Sequence, residues 1–98
     1  MRSIALAALL TLVVVAPAQA ATATFRCALN VDMRVSYSAD NAKVTVQVQG
    51  RSFVLPRDTT GSGERYNDGQ TVFWEHQGEA LFDTPGLSLS NCKLMGPQ

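Results

Sequence analysis

The fold is decided by residues 31–48, VDMRVSYSADNAKVTVQV. Apolar side chains stand at every second position in the first seven and the last five residues of this stretch, with polar side chains between them. Residues two apart lie on the same face of a β-strand, so each part predicts a strand with one face in a core and one in water. Ala39-Asp40-Asn41, between the two parts, is typical of a turn. The stretch therefore predicts two short strands joined by a tight turn.

Short alternating runs continue outward from this stretch, and no segment shows apolar residues at the spacing of an amphipathic helix. Turn-forming residues separate the runs at Gly50, Pro56-Arg57-Asp58, Asn67-Asp68-Gly69, Gln77-Gly78 and Thr84-Pro85-Gly86. The runs predict eight strands, near residues 24–29, 31–38, 42–49, 52–56, 60–66, 70–76, 79–83 and 87–94. Short strands and tight turns favour an all-β fold, a small eight-stranded antiparallel barrel, because closure removes exposed strand edges. A two-sheet sandwich is the alternative.

Residues 1–20 have the features of a cleavable signal peptide. Arg2 supplies a positive charge, an apolar run follows it, and Ala18-Gln19-Ala20 is an A-x-A cleavage site. The apolar run is too short for a membrane anchor. We therefore predict export, cleavage after Ala20 and a mature domain of residues 21–98 with no membrane anchor.

Both cysteines of the chain, Cys27 and Cys92, lie in the mature segment. Two cysteines in a small exported protein predict one disulfide. Such a bond would add stability to a domain of this size, whose core alone is marginal. Metal binding by two free thiols is the weaker alternative, since His76 is the only histidine.

The charge balance excludes some classes of partner. Without residues 1–20, seven Lys and Arg stand against eight Asp and Glu, and they form no basic run. Proteins that bind nucleic acid or anionic membranes present clustered positive charge. We therefore predict neither as a partner.

The sequence does not favour catalysis. Ser62 is not on a G-x-S-x-G nucleophile elbow, since the local sequence is Gly61-Ser62-Gly63-Glu64-Arg65. Nearby acids could supply a glycosidase pair, but charges beside hairpin turns are usually only solvated. We predict a binding protein whose loops make the contacts, with no catalytic residue, metal or cofactor.

Residues 61–80, GSGERYNDGQTVFWEHQGEA, carry a set of motifs in a fixed order. The motifs are S-G-x-R-Y from Ser62, D-G at Asp68, V-F-W from Val72, E-A at Glu79 and N-C at Asn91. With an aromatic residue two positions before Cys27, this combination resembles the family of periplasmic and membrane-bound inhibitors of c-type lysozyme. The resemblance covers nearly the whole mature chain.

This resemblance implies an eight-stranded barrel with a Cys27–Cys92 bridge, and a protein that blocks c-type lysozyme in the periplasm of a Gram-negative bacterium, evading host defence. Lysozyme cuts peptidoglycan with two carboxylates in a deep cleft. By resemblance, the Ser62 hydroxyl enters that cleft and a second residue, fourteen positions on, pairs with the acids. Gly61, Gly63, Arg65 and Tyr66 complete the implied contact set.

The second position commonly holds a lysine in the family, and here it is His76. Histidine ordinarily titrates near pH ~6.5, whereas lysine stays charged at every physiological pH. We therefore expect inhibition that weakens as the pH rises toward 8. Gln77-Gly78 also reverses the family's usual Gly-then-polar order, which predicts a different hairpin tip.

Other interpretations of these residues stay open on the sequence alone. Arg65 can instead pair with Glu64 or Asp68 at the surface, and Tyr66 can be a core aromatic with its hydroxyl at the rim. The alternative function is a periplasmic barrel that binds an envelope glycan or another protein without inhibiting lysozyme.

Overall fold

The computed structural model describes residues 21–59 and 63–95, which form a closed barrel of antiparallel strands. Each strand pairs with the next along the chain, and the last pairs with the first. The strands are β1 (Ala21–Arg26), β2 (Asp32–Tyr37), β3 (Lys43–Val48), β4 (Arg51–Asp58), β5 (Glu64–Asn67), β6 (Val72–His76), β7 (Glu79–Thr84) and β8 (Leu87–Leu94). The predicted all-β, eight-stranded barrel is confirmed, and the sandwich alternative is wrong.

The signal peptide predicted at residues 1–20 lies outside the described residues. Within residues 21–59 and 63–95, no helix has the length and apolar character needed to cross a bilayer.

The core fills the barrel with the side chains that alternate inward along the strands. Val46 of β3 lies opposite Val35 of β2, and Val48 lies opposite Met33, all four at or near zero exposure. Phe73 and Trp74 take opposite faces of β6 as expected, with Phe73 buried and Trp74 39% exposed. Burying an apolar side chain of this size stabilises the fold by about 1.5–3 kcal/mol. The largest fully buried side chains are Tyr66, Phe25, Phe73, Phe82, Met33 and Leu55.

Tight turns join the strands at Gly50 and Gly78, as the sequence predicts. Gln49 and Gly50 have φ of 51° and 75°, and Gln77 and Gly78 have φ of 53° and 82°. Two consecutive positive φ values are the signature of a type I′ turn, which matches the twist of the strands it joins. At the β5–β6 turn, the backbone N–H groups of Thr71 and Gln70 donate to Asp68 Oδ1 and hold the pKa of that carboxyl below its ordinary value.

The turn predicted at Pro56-Arg57-Asp58 is wrong, because β4 runs through it to Asp58. Arg57 N donates to Ala42 O at 2.9 Å, on the β3 side. Neighbouring residues of a strand point their backbone nitrogens in opposite directions, so the backbone nitrogen of Pro56 points toward β5. The β4–β5 pairs begin only at Arg57, so the missing N–H of Pro56 removes no ladder hydrogen bond.

Several strand boundaries also differ from the prediction; the first strand, for example, begins at Ala21 and not near residue 24. The first strand ends at Arg26 and not near residue 29, because Ala28–Asn30 forms a short 3₁₀ segment. Leu29 continues the apolar alternation of Phe25 and Cys27 but has a positive φ of 64° and is 93% exposed. The fifth strand begins at Glu64, and its predicted start at residues 60–62 lies outside the described residues.

The predicted disulfide is present between Cys27 and Cys92, which are 65 positions apart. It lies beside one of the two shortest ladders of the barrel, where β1 and β8 share only the pairs Phe25–Leu94 and Arg26–Lys93. Both cysteines are buried. The bond therefore holds the first and last strands together where few ladder hydrogen bonds do so.

Candidate functional site at the barrel mouth

One end of the barrel, called here the mouth, collects residues from distant parts of the sequence. β5 begins there at Glu64, β6 ends there at His76, and Tyr37 and Asn41 lie at the same end beside Glu64 and Glu75. Gly61 and Ser62, predicted as contact residues, lie outside the described residues. The described part of the chain resumes at Gly63.

Gly63 is packed directly against the end of β6. A Cβ atom built on Gly63 would lie 2.6 Å from the carbonyl oxygen of Glu75 and 3.0 Å from both Cβ and Nδ1 of His76. Gly63 also has a positive φ of 76°, which favours glycine. Two of the predicted contact residues, Gly63 and His76, are therefore brought together, and only glycine fits at this approach.

We expect Gly63→Ala to lower the free energy of unfolding by about 2–3 kcal/mol, from the positive φ and the clash with the Glu75 carbonyl. Gly50→Ala is the matched control, because Gly50 has a similar φ of 75° and nothing within 4 Å of its built Cβ. The control should lose only about 1 kcal/mol in urea unfolding. Equal losses in the two variants would show that the close approach of Gly63 to β6 has no energetic consequence.

The β6–β7 hairpin that carries His76 is held at its tip. Gly78 N donates to Glu75 Oε2 at 3.1 Å, and Leu94 N donates to Gly78 O at 2.9 Å. His76 is exposed and lies opposite Glu79 in the ladder, where Glu79 pairs with Lys93. The imidazole is thus presented to solvent from a turn that is fixed on both sides.

Arg65 lies on the outer wall next to the mouth. Its guanidinium is 3.5 Å from Asp58 Oδ2 and 5.9 Å from the centroid of the Trp74 ring. Both neighbours come from adjacent strands, since Arg65 lies opposite Asp58 on β4 and opposite Trp74 on β6. The alternative that Arg65 forms a surface ion pair is therefore supported, but its partner is Asp58 and not Glu64 or Asp68, because strand pairing brings Asp58 beside it.

Tyr66 belongs to the core, with zero exposure. Its hydroxyl is 3.3 Å from Glu64 Oε1, to which it donates, and it accepts from Arg57 Nη1 at 3.4 Å. Burial, and next the Glu64 carboxylate, raise the pKa of Tyr66 above its ordinary value. Tyr66 therefore supports β5 from inside the barrel.

Two carboxylates line the inside of the mouth, a feature that the sequence analysis did not assign. Glu64 and Glu75 lie directly opposite each other on β5 and β6, in phase with the buried Tyr66 and Phe73. They share an open depression of about 290 Å³ with Tyr37. Burial of Tyr37, and next the charge of Glu75, raise the pKa of its phenol well above the ordinary value. The alternation of inward and outward residues along β5 and β6 could have predicted this pair, since Glu64 and Glu75 fall on the inward positions.

Residues 21–59 and 63–95 hold no group of three or more His, Cys, Asp or Glu side chains that could bind a metal ion. The mouth instead presents an imidazole, a glycine-packed loop stem and two carboxylates.

Comparison with known proteins gives one match. The family model described as membrane-bound lysozyme-inhibitor of c-type lysozyme matches residues 25–88, which include every described residue of the mouth from Gly63 to His76. No curated protein and no solved structure shows significant similarity to the chain.

Proposed function

Because the chain belongs to the family of membrane-bound inhibitors of c-type lysozyme, it is a lysozyme inhibitor, and we propose that it acts by inserting a loop carrying Ser62 into the active-site cleft. In this proposal the Ser62 hydroxyl donates a hydrogen bond to a cleft carboxylate. His76, when protonated, pairs with the second acid, and charge-assisted bonds of this kind are stronger than neutral ones. Gly61 and Arg65 are proposed to add contacts beside these two residues.

The packing of Gly63 against Glu75 and His76 is the observation that carries this proposal. Ser62 is joined covalently to Gly63, and Gly63 has no room for a side chain against β6. Preorganisation of a contact surface lowers the entropic cost of forming a complex, and the packing of Gly63 against His76 supplies such preorganisation next to Ser62 in the sequence. The Ser62 hydroxyl and the His76 imidazole are proposed to reach two acids in one cleft.

The proposed location is the periplasm of a Gram-negative bacterium, with residues 1–20 removed during export. An inhibitor there would protect peptidoglycan from lysozyme that enters through a damaged outer membrane. The disulfide agrees with an oxidising compartment, in which such bonds persist.

The direct test uses purified residues 21–98 with hen-type lysozyme and a suspension of cell walls, whose loss of turbidity reports lysis. We expect lysis to stop at a chain-to-lysozyme ratio near one to one when both are well above the dissociation constant. Reduced and alkylated chain serves as the control for nonspecific effects. Full lysis at a large excess of folded chain would overturn the proposed function.

A pH series tests the role of His76. The charge of a histidine side chain depends on pH in the physiological range and that of a lysine does not, so if His76 pairs with the cleft acids, inhibition should weaken about 5-fold between pH 5.5 and 8. The neighbouring carboxylates Glu75 and Glu79 are the same in a His76→Lys variant. That variant should inhibit equally at both pH values, which also corrects for the pH dependence of lysozyme itself. Parallel pH profiles for the two chains would show that the charge at residue 76 has no role.

A further inference from the structure

The outer wall of the barrel carries a second concave surface, separate from the interior of the mouth. It is an open depression of about 470 Å³, within the range of about 300–1,000 Å³ that small-molecule sites occupy. Trp74 and Leu81 form its floor, and its rim includes His76, Glu79, Ser90 and Asn91.

The floor is apolar and is set by the ladder. Trp74 and Leu81 lie opposite each other on β6 and β7, and they are 39% and 38% exposed. The Arg65 guanidinium, 5.9 Å from the centroid of the Trp74 ring, packs on the neighbouring strand and helps to fix the ring. Large exposed apolar side chains held side by side on one wall are not required by the fold.

The rim offers uncharged hydrogen-bonding groups. Ser90 provides a hydroxyl, and Asn91 provides an amide with both donors and an acceptor. Asn91 has a positive φ of 54°, which asparagine tolerates, and it lies at the irregularity in the β7–β8 ladder beside Leu81. The charge of Glu79 is balanced by Lys93, and that of Arg65 by Asp58, so the groups other than His76 add little net charge to the surface.

We infer that this depression binds a neutral saccharide, with one sugar ring lying on Trp74. A pyranose ring presents C–H groups on one face and hydroxyl groups around its edge, which matches an aromatic floor with a hydroxyl and amide rim. A protein partner fits less well, because stable protein interfaces bury about 800 Å² on each side and this apolar floor consists of two side chains. The low net charge favours a neutral ligand over an anionic one.

Chitotriose, the neutral trimer of N-acetylglucosamine, is the probe. Trp74 is the only tryptophan of the chain, so its fluorescence reports this surface alone. We expect a saturable change in emission with half-saturation below about 5 mM. No lysozyme is present in this titration, so its outcome is independent of the inhibition assay.

Calorimetry on variants locates the site. Asn91→Gly keeps a residue that tolerates the positive φ but removes the amide, and it should weaken chitotriose binding at least 5-fold, while Trp74→Ala should weaken it at least 10-fold. Val54→Ala is the control, because Val54 is 59% exposed on β4, away from the depression. The inference is overturned if the folded chain gives no saturable signal, or if Trp74→Ala and Asn91→Gly bind chitotriose as tightly as the unaltered chain.

Discussion

Replacing Ser62 with tyrosine is expected to raise the concentration of chain needed for half-inhibition of lysozyme at least about 100-fold, which corresponds to a loss of about 2.7 kcal/mol in binding. The small hydroxyl is proposed to enter a narrow cleft, and a large ring at the same position cannot follow it. Gly63, the next residue in the chain, is packed against the end of β6 with no room for a side chain. The measurement is the turbidity assay with both chains at matched concentrations.

Two further variants separate insertion from general disturbance. Ser52→Tyr adds the same ring at an exposed position of β4, next to the β3–β4 turn, and should leave inhibition unchanged. Ser62→Ala removes only the hydroxyl and should fall between the two, because a smaller side chain still enters the cleft. If Ser62→Tyr inhibits as well as the unaltered chain while both fold, loop insertion is wrong even though the protein is a lysozyme inhibitor.

Loss of the disulfide is expected to lower the free energy of unfolding by about 4 kcal/mol. Cross-linking residues 65 positions apart removes a large loop entropy from the unfolded chain. The loss is a large share of the total, since small domains have only about 5–15 kcal/mol. Urea unfolding with and without a thiol reductant measures it, followed by the fluorescence of Trp74.

The control is the double variant Cys27→Ala with Cys92→Ala, which keeps both buried positions apolar. Because the chain has no other cysteine, reductant should not move the unfolding midpoint of this variant. The variant should unfold near the midpoint of the reduced chain. A stability loss below about 1 kcal/mol on reduction would mean that the β1–β8 ladder alone closes the barrel.

The fold was accessible from the sequence because one face of each strand had to be apolar. Val44, Val46 and Val48 allow a single orientation of β3, and the Asn67-Asp68-Gly69 turn fixes the register of the strands on either side. The prediction was wrong where a local sequence pattern favoured a turn but the strand pairing of the barrel continued through it. Taken alone, Pro56 predicts a turn. A proline is nevertheless tolerated in a strand at a position where a backbone N–H would have no hydrogen-bond partner.

The candidate site was only partly accessible from the sequence. The sequence motifs identified Gly63 and His76 as candidate contact residues. Their contact with each other depends on how β5 lies against β6, which no local sequence pattern predicts. The partner of Arg65 depends on register in the same way, since Asp58 is on the preceding strand. The Trp74–Leu81 floor also requires register, because two outward residues become a surface only when the ladder places them opposite each other.

The Cys27–Cys92 bond has a consequence for the order of events in biogenesis. Its two ends flank almost the entire described chain, so the link cannot close until the last strand has been synthesised and has reached the first. A product that stops before residue 92 lacks both the bond and part of β8. The stabilisation that the bond gives is therefore confined to molecules synthesised at least as far as Cys92.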